Sequence, residues 1–388
     1  MHSSNLPAAA GQLTIEHFRN GLATELSDLS RCIRCESPSS NKEAVLASAR
    51  LIAEIGTARL GTAPDEIVVD GRTHLRWRFG QGRRRVILLC HHDTVWPIGS
   101  LAAHPYSVES GVLRGPGSYD MKTGLIGAIH ALAALRGCYG TLDGITLLVT
   151  GDEEIGSPTS RPLIEAEAAG CDAALVMEAA GPDGALKTAR KGISIYSIDI
   201  TGHAAHAGTE PERGVNASVE LARQILAVSQ LGDPALGTTV TPTVASSGTT
   251  GNTVPATARL AIDARALTTA EQERVDRAVA ALTPALPGST LNVGGGINRP
   301  PLEESSGIGL FRRAERIASV RGLTPLDHVG VGGASDGNFT AGIGVPTLDG
   351  LGAVGGGAHA DDEHALVEKI PERTALIAWL VADVLGLA

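Results

Sequence analysis

Residues 145–157 read Ile-Thr-Leu-Leu-Val-Thr-Gly-Asp-Glu-Glu-Ile-Gly-Ser. The apolar, β-branched run at 145–150 has the pattern of a buried strand. It ends in three consecutive carboxylates, Asp152, Glu153 and Glu154, followed by a Gly-Ser-Pro turn. Like charges crowded at a strand tip raise one another's pKa unless a cation or base holds them. A metal ion meets that requirement. Two neighbouring glutamates can then divide the labour, one ligating and one moving protons.

Working outward, residues 85–90 (Arg-Val-Ile-Leu-Leu-Cys) and 173–178 have the same buried-strand texture. An Ala/Leu/Ile helix is expected at 121–136, with helical spacing also at 13–35 and 41–55 and an alternating, half-exposed strand at 66–79. Strands alternating with helices specify an α/β domain with a largely parallel sheet flanked by helices. Near 187 the texture changes. Residues 192–201 alternate strictly, a helix follows at 214–229, alternating runs come at 239–246 and 256–265, and another helix at 269–283. That order suggests a ferredoxin-like α+β unit, with the glycine-rich 294–301 as its exit linker. The α/β texture then resumes with a helix at 306–320, a strand at 345–349 and a helix at 371–386. The expected organisation is a first catalytic part at 1–187, an inserted domain at 188–296 and a second catalytic part at 297–388.

The bulk numbers narrow the class. The chain has 388 residues, 43% of them hydrophobic but only 3% aromatic, and a net charge of -10. Two domains are the natural expectation at this length. The acidic balance leaves no basic stripe for nucleic acid; Arg83, Arg84 and Arg85 read as a solvated strand entry. No apolar stretch has membrane-spanning length, and residues 1–20 lack the pattern of a signal peptide. Five scattered cysteines fit a reduced, cytoplasmic protein. Cys32 and Cys35 form a lone C-x-x-C without a second pair or a preceding strand, so they read as structural.

Polar residues collect where the strands end. His91, His92 and Asp93 follow strand 85–90, and Asp120 precedes helix 121–136. Glu153 and Glu154 end strand 145–150, Glu178 ends the third strand, and His359 follows the glycine-rich 350–357 loop. The carboxyl ends of strands form the ligand crevice of open α/β sheets. A single such residue is usually a solvated turn; five segments converging on one edge point to a site. Imidazole and carboxylate together suit zinc, although cobalt or manganese tolerate the same donors. Asp120, Glu154 and Glu178 leave two dications with one positive charge in excess, which a hydroxide would neutralise. Glu153 is then spare as a proton carrier. Asp93 lies two residues from His91, on the same side of an extended chain, where it can orient the imidazole. The same alternation turns His92 away, so it is expected not to ligate. Asp152 receives no role.

His-x-Asp-Thr-Val at 91–95, Gly-Pro-Gly-x-x-Asp-Met-Lys at 115–122 and Asp-Glu-Glu-x-Gly-Ser at 152–157 together resemble the dinuclear zinc peptidases and amidohydrolases. That family contains glutamate carboxypeptidase, acetylornithine deacetylase, succinyl-diaminopimelate desuccinylase and the aminoacylases, and the likeness is greatest to bacterial folate-cleaving glutamate carboxypeptidases. It spans roughly residues 25–388. The resemblance implies that His91 and Glu178 hold one zinc, Glu154 and His359 the other, and that Asp120 bridges them. It implies Glu153 as general base and acid, Asp93 as the residue steadying His91, and a cis peptide after Asp120. It also implies that the inserted domain mediates a homodimer. His206 would reach the partner's site and stabilise the oxyanion, and Asn252 and Arg265 would grip the substrate carboxylate, for which a guanidinium offers a two-pronged donor. His203 does not match and is expected at the surface.

The expected activity is metal-dependent amide hydrolysis releasing an amino acid with a free α-carboxylate, glutamate carboxypeptidase-like. The alternatives are an N-acyl amino acid deacylase with a different side chain and a non-catalytic metal-binding relative. A nucleotide-binding reading of the glycines at 330–333 and 355–357 fails because neither cluster has phosphate-loop spacing.

Overall fold

The structure, a computed structural model, describes residues 13–387. Residues 1–12, which carry most of the segment read as lacking a signal peptide, lie outside the described residues. Among the described residues no helix is long and apolar enough to cross a membrane. The described residues divide into two compact units, residues 13–188, 304–331 and 335–387 in one and residues 189–303 and 332–334 in the other.

The first unit is built on a six-stranded sheet. Its order is Asp65–Val69, Arg72–Phe79, Ile145–Thr150, Val86–His91, Ala173–Val176 and Thr347–Leu348. The last four are mutually parallel and the first two form an antiparallel hairpin. Every residue of Val86–His91, Ile145–Thr150 and Ala173–Val176 is buried, as a sheet covered on both faces requires. The pleat sorts the side chains: Val86, Leu88, Cys90, Leu147 and Val149 join the core with the helices Thr123–Tyr139 and Ile370–Leu385. Ile87, Leu89 and Leu148 join the opposite core, with Ile164 of helix Arg161–Ala168 and Phe339 of helix Gly337–Gly342.

One expected strand is two. Residues 66–79 break at Asp70 and Gly71, both with positive φ (49° and 74°), the left-handed pair that an Asp-Gly hairpin turn uses. The helix expected from 121 begins at Thr123, after a kinked turn, Ser118–Lys122, in which Asp120 and Met121 are non-helical. The Asp120–Met121 peptide bond is cis.

The second unit has an antiparallel sheet in the order Thr239–Ser247, Thr257–Ala266, Gly192–Thr201 and Thr290–Arg299. With helices Ala217–Ser229 and Thr269–Ala280, its sequence is strand, helix, strand, strand, helix, strand, the ferredoxin-like arrangement. The stretch 294–301 is not an exit linker. Gly294, Gly295 and Gly296 lie inside the strand Thr290–Arg299, which pairs with Gly192–Thr201. Gly295 has φ 89°, and a Cβ there would fall 2.1 Å from the Ile195 carbonyl oxygen. The glycines therefore serve a close strand approach, and the unit runs on to residue 303.

Candidate metal centre

His91 is the last residue of its strand and 1% exposed. Its Nδ1 lies 3.0 Å from the Asp93 carbonyl oxygen and 3.6 Å from Asp93 Oδ1. Both neighbours are acceptors, so Nδ1 carries a proton and Nε2 is the nitrogen turned toward the site's carboxylates. Nε2 lies 3.2 Å from Asp120 Oδ1 and 3.4 Å from Glu178 Oε1. The second imidazole, His359, comes from a loop and is half exposed; its φ is 61°. Its Nε2 lies 3.5 Å from Asp120 Oδ2 and 3.2 Å from Glu154 Oε2. The five residues thus fall into two triplets, His91–Asp120–Glu178 and His359–Asp120–Glu154, which share the two oxygens of Asp120.

The electrostatics are those of a site crowded with carboxylates. Burial disfavours a charged His91, yet hydrogen bonds to Asp120, Asp93 and Glu178 outweigh it and lift the ring well above its ordinary pKa. His359 is lifted to about 10, chiefly by its hydrogen bonds to Asp120 and Glu154. Burial pushes Asp120 up, but both imidazoles hold it well below the usual carboxylate range. Glu154 is raised by burial, and the Asp120 charge adds to that. Protons here do the neutralising work of a cation. Among the described residues Glu154 Oε1 is buried without a hydrogen-bond partner, a costly state for a carboxylate oxygen unless a cation takes its lone pairs. The donor set of two imidazoles and three carboxylates, with that orphaned oxygen, fits a pair of divalent ions.

Glu153 is 8% exposed. It offers an oxygen within 4.8 Å of atoms from His91 and Glu178, so proximity alone would admit it as a ligand. His91, Asp120 and Glu154 likewise offer atoms within 4.8 Å of one another, so proximity alone does not divide these carboxylates between the two imidazoles. Asp93 does more than face His91. Its Oδ1 accepts the Glu153 amide (3.2 Å), and its Oδ2 accepts the Glu154 amide (3.2 Å) and the Ser39 hydroxyl (2.6 Å). Burial pushes Asp93 up, but hydrogen bonds and the His91 charge hold it low, so it stays an acceptor.

His92 is fully buried, with Nε2 3.1 Å from the Thr73 carbonyl oxygen. Burial drives its pKa down to about 4, and it stands outside both triplets. The Cys32 thiol is pushed up to about 11 by burial, the opposite of what a redox pair needs. The carbonyls of Cys32 and Cys35 instead accept Lys122 Nζ at 3.2 and 3.0 Å, and Lys122 is 1% exposed.

The substrate-binding candidates belong to the second unit. His206 and Asn252 are exposed and brought together: His206 bridges to Thr253, and the Ala207 amide donates to the Asn252 carbonyl oxygen at 2.9 Å. His206 Nδ1 accepts the amides of Gly208 and Thr209, both at 3.1 Å, so its proton sits on Nε2. Arg265 pairs with Asp263, Nε to Oδ1 at 2.9 Å. His203 is exposed.

Sequence reasoning missed two carboxylates. Asp152, given no role, is fully buried and accepts the amide and hydroxyl of Thr159 (both 2.7 Å) and of Ser160 (3.2 and 2.5 Å). It pins the chain just beyond Glu154. Glu363, four residues past His359, is 4% exposed and accepts hydrogen bonds from the segment carrying Asp120. The Gly-Ser-Pro turn hinted at the first; no pattern announces the second.

Residues 87–383 match peptidase family M20/M25/M40. The chain is 34% identical to Carboxypeptidase G2 of Pseudomonas sp. (strain RS-16), over 78% of this chain and 75% of that protein. It is 26% identical to the succinyl-diaminopimelate desuccinylase of Ruegeria pomeroyi, over 81% and 87% of the two chains. The M20 family metallo-carboxypeptidase Sso-CP2 of Sulfolobus solfataricus has the same fold, with a TM-score of 0.73, 17% identity, and coverage of 94% of this chain and 99% of the other.

Proposed function

Because this chain belongs to peptidase family M20/M25/M40, a family of metal-dependent hydrolases, we propose that it is a two-metal carboxypeptidase releasing an amino acid with a free α-carboxylate, glutamate foremost. The observation that carries this reading is Asp120, which turns one oxygen to His91 and the other to His359. His91 and Glu178 would hold one ion and Glu154 and His359 the other, with Asp120 available to each. Zinc suits this nitrogen and oxygen set, and cobalt or manganese would be accepted.

Bound there, the ions supply Lewis-acid polarisation of the scissile carbonyl and lower the pKa of a water. Glu153 takes the proton from the attacking water and returns it to the leaving amine. Asp93 holds the amides of Glu153 and Glu154, so the base and its neighbouring ligand share one anchor. His206 presents an Nε2–H donor suited to a developing oxyanion. On this reading it acts across a homodimer of a cytoplasmic protein. Arg265 and Asn252 grip the substrate carboxylate, and Asp263 fixes the Arg265 fork by binding one edge. The 34% identity to a protein named a carboxypeptidase supports release from a C-terminus.

The second reading is an N-acyl amino acid deacylase, favoured by the desuccinylase relative that covers 81% of this chain. Released-amine assays on N-acyl and peptidyl amino acids, each with a free and an amidated carboxylate, test both. Chelator-sensitive cleavage of C-terminal glutamate substrates is expected. Equal cleavage of the amidated forms would overturn the carboxylate requirement, and preference for small acyl groups over peptidyl ones would favour the deacylase.

A further inference from the structure

Glu363 spends its whole carboxylate on one stretch of backbone and one indole. Its Oε1 accepts the amides of Tyr119 (2.8 Å) and Asp120 (3.0 Å). Its Oε2 accepts the amide of Gly117 (3.0 Å) and the Trp96 Nε1–H (2.6 Å). Four donors meet an acceptor-only group, which an amide side chain would not replace: its NH₂ would face donors on one side. Hydrogen bonds to an ionised acceptor are also roughly twice as strong as neutral ones.

The position matters as much as the count. Glu363 belongs to the loop that carries His359, and backbone bonds from Ala360 N to Gly357 O (2.9 Å) and Glu363 N to Ala360 O (3.0 Å) make that loop successive turns. Gly357 (φ 74°) is part of it, and a Cβ there would press on Asp362 at 2.7 Å. One side chain therefore ties the His359 loop to the residue whose carboxylate faces both imidazoles. The two half-sites differ in what else supports them. His91 is buried at a strand end and held by Asp93. His359 is half exposed on its loop, and Asp120 sits in a non-helical turn (φ −116°, ψ 99°).

We propose that Glu363 is a positioning residue that sets the metal affinity of the half-site formed by Asp120, Glu154 and His359, and acts less on the His91 half-site, which shares only Asp120 with it. The proposal rests on the two-metal reading above. Partners behind a metal ligand typically cost ~10–100-fold in affinity when removed; the loop-borne His359 places most of that loss on the second ion, while His91 keeps its own support from Asp93.

The test titrates cobalt(II) into metal-stripped wild type, Glu363→Gln, Glu363→Ala and Trp96→Phe. The visible cobalt absorption and ion count per chain are followed, and each metal-free protein is melted. Wild type is expected to take two ions. Glu363→Gln and Glu363→Ala should take the first ion with affinity within about threefold of wild type and the second ~10–100-fold more weakly, with a changed spectrum for that ion. Trp96→Phe, which removes one of the four donors and leaves the charge, should shift the same ion in the same direction by less. Unchanged affinity and spectrum for both ions in Glu363→Gln would overturn the proposal. So would equal weakening of both ions together with a lowered metal-free melting temperature, which marks a general structural role. If both Glu363 variants fail to fold, Trp96→Phe decides: an unchanged second-ion spectrum overturns the proposal. A wild type taking fewer than two ions sinks the two-metal reading itself, a result distinct from the others.

Discussion

Glu154 Oε2 and His359 Nε2 lie 3.2 Å apart, so a proton held between them occupies what a metal ion would take. That proton is tightly bound: with Asp120 and Glu154 as acceptors, the metal-free His359 titrates at about 10. An entering ion must displace it, and affinity must therefore rise with pH throughout the range below 10. For one displaced proton the gain is ~tenfold per pH unit, or ~100-fold between pH 6 and 8. Calorimetric titration of the metal-free protein in buffers of different ionisation heat measures the release directly. A pH-independent affinity with no proton release would contradict the placement of His359 in the site.

Glu153 and its neighbour Glu154 should separate cleanly. Glu153→Gln should keep both ions and lose ~10²–10⁴ in kcat, the usual worth of a positioned acid and base. Glu154→Gln should instead lose an ion, because its oxygen faces His359. Ion counts and turnover on the same preparations check both. Near-wild-type turnover in Glu153→Gln would remove it as the base and leave the close approach to His91 and Glu178 as its function.

What was legible in the chain follows from geometry that leaves a sequence trace. A parallel strand buried on both faces reads as a continuous apolar run, so the strands ending at His91 and Thr150 announce themselves, and with them the edge where His91, Asp120, Glu154, Glu178 and His359 gather. A buried carboxylate that accepts backbone amides leaves no such trace. Glu363 has no periodicity, and its partners Gly117, Tyr119 and Asp120 are distant in sequence. Lys122 was visible in a motif, but its burial against the carbonyls of Cys32 and Cys35 was not. Composition misled at 294–296, where three glycines read as a linker and serve strand pairing instead. At Asp70-Gly71 the hairpin signal was present and was overridden by the alternation around it.

Arg265 offers a test of substrate reading that leaves the metals alone. Asp263 binds its Nε and Nη2 at 2.9 and 3.1 Å, which fixes the guanidinium plane, and on the other edge Nη1 makes a long 3.4 Å bond to the Gly332 carbonyl oxygen, which a substrate carboxylate would have to displace or share. Removing a charge-assisted hydrogen bond costs about 1.5–3 kcal/mol, so Arg265→Ala should raise KM by ~10–100-fold with ion content unchanged. Arg265→Lys should recover little, since an ammonium lacks the fork. Steady-state kinetics on free-carboxylate substrates provide the check, and a KM within twofold of wild type would exclude the role.

Glu25 predicts a pH dependence of stability unrelated to the metals. It is 2% exposed and accepts the Thr374 hydroxyl at 2.7 Å. Burial, despite that hydrogen bond and helped by nearby Asp28, lifts its pKa from 4.5 to about 7. The folded state therefore binds this proton more tightly than the unfolded chain. The resulting stability is fully present below 4.5 and is lost as pH rises through about 7. The span of the shift corresponds to about 3 kcal/mol once Glu25 is ionised. Glu25→Gln keeps an acceptor for Thr374 without the titrating proton, so it should be more stable than wild type at pH 8. That advantage should shrink steadily towards pH 5. Denaturant melts of the metal-free proteins across this range measure the difference, and two parallel stability curves would show that Glu25 does not titrate in the folded core.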